Sequence, residues 1–144
     1  MEGVICKSLL WKFGLATREE YIAELDRLYK ETPELFLLLE LEDCSDDCDR
    51  SFERMKKYWK YHFDDVSLSR FGKCLCKALE AAYYSGEYDF EEFSFKSYLV
   101  WSALPHGLHK EEPYFFLSEA DDCIAMSEDD RAKNFYQRFF DYYK

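Results

Sequence analysis

Between Glu34 and Glu42 the chain reads ELFLLLELE. Leu35, Phe36, Leu37, Leu38, Leu39 and Leu41 cover every side of a helix rather than one stripe, so the run predicts a helix buried on most sides and covered by several neighbours. Leucine favours helix over strand, and Thr32 followed by Pro33 supplies an N-cap and a residue suited to the first helical position. The chain is expected to be organised around this segment.

Its 144 residues and 17.4 kDa match one ordinary domain, residues 1–144, long enough to bury a core without staples. A hydrophobic fraction of 48% and an aromatic fraction of 19% exclude a disordered chain. Thirteen Phe, twelve Tyr and three Trp exceed what such a domain usually hides, so part of the aromatic set is expected on a surface that meets a partner or closes a homo-oligomer. The formal charge of −11 repels phosphate backbones and anionic membranes and speeds encounter with basic proteins. No nucleic acid and no membrane is therefore expected as a partner. No apolar stretch approaches the roughly 18 residues a membrane helix needs. Glu2, Lys7 and Lys12 interrupt the N-terminal apolar segment, which reads as part of the fold rather than an export signal. The expected location is the cytoplasm, with the six cysteines as thiols.

Along the chain, Ile5, Cys6, Leu9, Leu10 and Phe13 recur at helical spacing and predict a short amphipathic helix ending at Gly14, for docking within the fold or, as the alternative, for binding a partner. Thr17 and Glu20 form a capping box ahead of an apolar stripe of Tyr21, Leu25, Leu28 and Tyr29. Ser45 is the expected cap of a helix burying Phe52, Met55, Trp59 and Phe63, with Arg54, Lys56, Lys57 and Lys60 as its basic face. Ser67 opens a helix over 68–85, closed by Gly86. Asp89 caps another that stops before Pro105, a loop spans His106–Pro113, and Tyr114–Met126 holds a short helix. Ser127 is the expected cap of the last helix, with Ala132, Phe135, Phe139 and Tyr142 or Tyr143 inward. The pattern predicts an all-α fold, an irregular bundle of seven or eight short helices. A short helical-repeat-like stack is the alternative, although no motif repeats at a suitable period.

The candidate chemistry is thin. Cys44 and Cys48 have a spacing that zinc sites use, but Cys74 and Cys76, two apart on a helix, point about 200° apart and cannot share one metal. Counting from Asp43, a calcium loop would need Gly and Glu where Cys48 and Arg54 stand. His106 and His109 beside Glu111 and Glu112 offer proton or metal chemistry without a helix-borne metalloprotease pattern, and His62 lies on the basic helix. No nucleophile elbow, phosphate-binding loop or dinucleotide fingerprint is present. Neither a cofactor nor a metal is expected.

What remains is acidic and aromatic surface. Asp43, Asp46, Asp47 and Asp49, and Tyr83, Tyr84, Glu87, Tyr88, Asp89, Glu91 and Glu92, are the candidate partner-binding residues. They suit a small acidic interaction protein of the bacterial immunity or antitoxin type, neutralising a basic toxin domain such as a nuclease. The alternative is an adaptor or regulatory domain holding a peptide helix in a groove lined by Tyr83, Tyr84 and Trp101. A metal-dependent enzyme using His106, His109 and a cysteine ranks third.

Overall fold

Eight α-helices and two short 3-10 turns, with no strand, make up the computed structural model, which describes residues 1–144. The chain divides into two compact units, Met1–Phe71 and Gly72–Lys144, the division falling inside α5 (Leu68–Tyr84).

In the first unit, α1 (Glu2–Lys12) is the central element. Val4, Ile5, Cys6, Leu9 and Leu10 are buried, and Ser8 joins them by donating its hydroxyl to the Ile5 carbonyl at 2.9 Å. Four buried residues in succession from Gly3 to Cys6 span more than one helix face, so α1 is a core helix rather than the amphipathic docking helix expected. It packs on α2 (Arg18–Glu31) and α4 (Cys48–Tyr61). The capping box opens α2 as expected, with Thr17 Oγ1 accepting from the Glu20 N–H at 3.2 Å and Glu20 Oε2 from the Thr17 N–H at 2.7 Å. Tyr21, Leu25 and Leu28 form its buried stripe, whereas Tyr29, about 100° further round, is exposed.

The leucine run behaves otherwise. Only Leu37–Asp43 is helical (α3), only Leu38 and Leu41 are buried there, and Thr32 closes α2 instead of opening the next helix. The Thr32 N–H and hydroxyl both donate to the Leu28 carbonyl, at 2.9 and 3.1 Å. Asp47, not Ser45, caps α4, accepting from the Arg50 N–H at 3.0 Å. Ser45 lies in the preceding turn, where its carbonyl accepts from Arg18 Nε at 3.0 Å. Phe52, Met55 and Trp59 are buried on α4 as expected, and the Trp59 ring lies 4.6 Å from that of Phe71.

In the second unit, Asp89 caps α6 (Phe90–Ala103) by accepting from the Glu92 N–H at 2.8 Å. A 3-10 turn at His106–Leu108 interrupts the expected loop before α7 (Phe115–Ala125), which packs on both α6 and α8 (Asp129–Asp141). Tyr83 meets Phe93, Phe140 and Tyr136 at ring separations of 5.1, 5.3 and 5.8 Å, knitting the end of α5 to α6 and α8. Much of the aromatic excess is thus core.

Two helices end in the same device. After α1, the Leu15 N–H returns to the Leu10 carbonyl at 2.8 Å and the Gly14 N–H to Trp11 at 3.1 Å, with Gly14 at φ 75°. After α7, the Glu128 N–H returns to Cys123 at 2.8 Å and the Ser127 N–H to Ile124 at 3.0 Å, with Ser127 at φ 58°. Both are Schellman closures, which place one residue in the left-handed region. Ser127 is therefore consumed in ending α7 and does not cap α8; Glu128 takes that position. Because a Cβ is costly at such a φ, Ser127→Gly should stabilise the protein by roughly 0.5–1 kcal/mol in urea titrations, and Gly14→Ala should destabilise it by about 1 kcal/mol or more.

Burial pushes the Tyr21 phenol up to about 12, with the Ser51 hydroxyl opposing the shift, and burial likewise raises Tyr114 and Tyr136. A raised folded-state pKa contributes stability that is intact below the ordinary tyrosine value of about 10 and is lost as pH climbs through the folded value. Thermal stability should therefore fall steeply between pH 10 and 12, with the last part of the tyrosinate absorbance, that of the buried phenols, appearing together with loss of helical dichroism. Tyr21→Phe should make that fall shallower.

Candidate functional site

A groove of 680 Å³ opens in the first unit between the end of α2, the turn that follows it, α3 and the second half of α4. Its origin is the stop at Thr32. With the Thr32 N–H and hydroxyl both on the Leu28 carbonyl and Pro33 lacking an N–H, the chain turns through Leu35, whose N–H reaches the Thr32 carbonyl at 3.2 Å, and restarts a helix only at Leu37. Seven residues give fewer than two turns, and α3 packs against α4. Only the face holding Leu38 and Leu41 can be covered by that contact. Elsewhere in the run, Leu35 and Leu37 are half-buried, Phe36 is 84% exposed and Leu39 66%.

Across the groove, Arg54, Lys57, Tyr58 and Tyr61 recur every three or four residues along α4 and share one face. Tyr61 is 68% exposed. Tyr58 stacks on His62 at 4.2 Å with 11° between planes, and His62 Nδ1 lies 3.0 Å from the Tyr58 carbonyl. Burial, then the Asp65 and Glu2 carboxylates, pushes the Tyr58 phenol up. Leu28, Leu35 and Leu37 add apolar surface. The charged rim is divided: Glu31, Glu34 and Glu40 stand on the α2–α3 side, Arg54 and Lys57 on α4. A single long ion pair, Arg54 Nη1 to Glu40 Oε2 at 3.9 Å, spans the divide. Such a site can take up an apolar segment and fix its orientation with charge. It holds no convergent acid, base and nucleophile.

Most of the residues expected to meet a partner have roles within the fold. Asp47 is a helix cap, Asp49 pairs with Lys12, and Asp43 lies 3.8 Å from Arg50; Asp46 is exposed. In the second unit, Asp89 is a cap, Glu92 reaches Lys96 at 3.1 Å, and that lysine sits 4.6 Å from the Tyr88 ring centroid. Glu87 and Glu91 are exposed. Tyr83 belongs to the ring cluster, and Tyr84, also exposed, donates its hydroxyl to Gln137 Oε1 at 3.1 Å. Trp101 stacks on His109 at 4.4 Å and donates its indole N–H to the His109 carbonyl at 3.2 Å. It sits two turns beyond Phe93, about 12 Å along α6.

His106 and His109 lie edge to face with ring centroids 5.1 Å apart, but no third His, Cys, Asp or Glu completes a cluster able to hold a metal ion. Burial, with Glu80 nearby, pushes the Cys76 thiol up to about 12, and burial with Asp49 raises Cys48. Thiols so held stay protonated at neutral pH and are weak nucleophiles. No helix is long and apolar enough to cross a membrane.

The residues that sequence reasoning missed as surface are Phe36, Leu39 and Tyr61. A signal was available: Thr32-Pro33 also reads as a helix stop, and the acidic stretch from Asp43 leaves room for only about two and a half turns between them. Compared with known protein families, curated proteins and solved structures, the chain has no match.

The divided duties of the first acidic cluster are separable by mutation. Asp47→Ala should cost about 1 kcal/mol of stability through loss of the cap, whereas Asp46→Ala, one position earlier and exposed, should change the urea midpoint by less than about 0.5 kcal/mol.

Proposed function

We propose that this protein acts by docking on another polypeptide, through the groove between α2, α3 and α4. The observation that carries this reading is the exposure of Phe36 at the edge of an apolar groove that also presents Tyr61, with exposed Leu39 on the adjoining side of α3. Leaving a Phe and a Leu side chain in water forgoes roughly 1.5–3 kcal/mol of burial each, and grouped apolar residues rimmed by charge are the usual mark of an interaction surface. Aromatic anchors in such a setting supply much of the energy of tight complexes.

The formal charge of −11 supports a second reading, the immunity or antitoxin type of inhibitor that covers a basic toxin surface. Its contacts would be exposed carboxylates such as Asp46, Glu87 and Glu91 rather than the groove. The two readings differ in their response to salt. Docking driven by apolar burial persists as ionic strength rises, whereas carboxylate steering weakens over the Debye length.

A photo-crosslinking residue in place of Tyr61, in cells producing the full chain, should yield a discrete polypeptide adduct that survives moderate salt and disappears when Phe36→Ser is added. The same probe in place of exposed Glu19 should yield none. Because Phe36 is mostly in water, Phe36→Ser should leave the melting temperature unchanged or slightly raised. No adduct at Tyr61, or one indifferent to Phe36→Ser, would contradict the groove reading.

A further inference from the structure

Taking the groove reading as its basis, we propose that the occupant is a second copy of this chain, joined through the same α2–α3–α4 face in a two-fold symmetric dimer. The charge pattern selects it. A strongly basic segment, which the overall charge of −11 would attract, meets Arg54 and Lys57 on the α4 wall; a strongly acidic one meets Glu31, Glu34 and Glu40 on the other. The occupant must present apolar surface flanked by negative charge on one side and positive charge on the other. This groove is itself such a surface. In an isologous interface each residue i meets j of the partner while j meets i, so the glutamate wall of one copy faces the α4 wall of the other, twice.

The same patch also supplies both plug and socket, as self-complementarity requires. Phe36, at 84% exposure, projects at the groove edge and offers each copy an aromatic anchor for the groove of the other. Within one chain the walls barely engage: at 3.9 Å, with both side chains about half exposed, the Arg54–Glu40 pair is weak and can exchange for an intermolecular pairing.

The test is analytical ultracentrifugation of the full chain over a wide concentration range at moderate salt, on wild type, Phe36→Ser, Glu34→Lys/Glu40→Lys and Arg54→Glu/Lys57→Glu. Wild type should show a reversible monomer–dimer equilibrium, and Phe36→Ser should weaken it by about tenfold or more with an unchanged melt. Each charge-reversed variant, whose two walls carry net charge of the same sign, should be monomeric alone. Mixed in equal amounts, the two should associate, because every opposed wall pair is again of opposite sign. Association unaffected by Phe36→Ser overturns the proposal, and Phe36→Ser remains decisive if a reversed variant fails to fold. A mixture of folded reversed variants that stays monomeric overturns it too. Wild type that remains monomeric also overturns it, and the Tyr61 adduct then separates the two readings: a heterologous adduct leaves the groove standing with another occupant, and no adduct removes both.

Discussion

The stop at Thr32 and Pro33 governs what the first unit can bury. Thr32 spends its N–H and hydroxyl on the Leu28 carbonyl, and Pro33 has no N–H to carry the helix on, so a leucine-rich stretch that could have been three turns of core helix becomes seven residues packed against α4. Burial of Leu38 and Leu41 anchors it. Exposure of Phe36 and Leu39 follows from the same 3.6-residue geometry, which turns them away from the face that holds Leu38 and Leu41. The groove is thus the consequence of a helix ended early in the most apolar part of the sequence.

Why the unit tolerates this is visible in α1. That helix carries the central burial instead, with Val4, Ile5, Leu9 and Leu10 between α2 and α4, and the Trp59–Phe71 contact lies at the start of α5. The core is complete without the outer face of α3. A surface whose apolar residues the core does not need is free to serve association, and its two charged walls limit what can associate.

The helical architecture was legible from residue periodicity because most elements carry both an apolar stripe and a local start or stop. Thr17 with Glu20, Asp89 with Glu92, and Gly14 each satisfy backbone groups that any helix end leaves open, so short-range chemistry alone places them. Where two residues compete for one role, local reading misleads. Ser45 and Asp47 both suit an N-cap, and the Arg18 contact to the Ser45 carbonyl lies in a turn the local pattern does not reveal. Ser127 reads as a cap from its type, but its backbone is taken by the end of α7. The candidate site was the least legible part. Hydrophobicity reports that Leu35–Leu41 wants burial, not whether a neighbour is present to provide it, and the role of Asp49 within the fold depends on Lys12, distant in sequence, being placed beside it.

Hydroxyl-radical footprinting of the full chain at low and high protein concentration addresses the outer face of α3 directly. Phe36, Leu39 and Tyr61 should be modified readily when dilute and become protected together as concentration rises, while Leu38 and Leu41 stay protected throughout. Protection of Phe36 and Leu39 even at high dilution would mean that the leucine run is buried within a single chain. Reactivity unchanged at any concentration would mean that no second copy covers the groove.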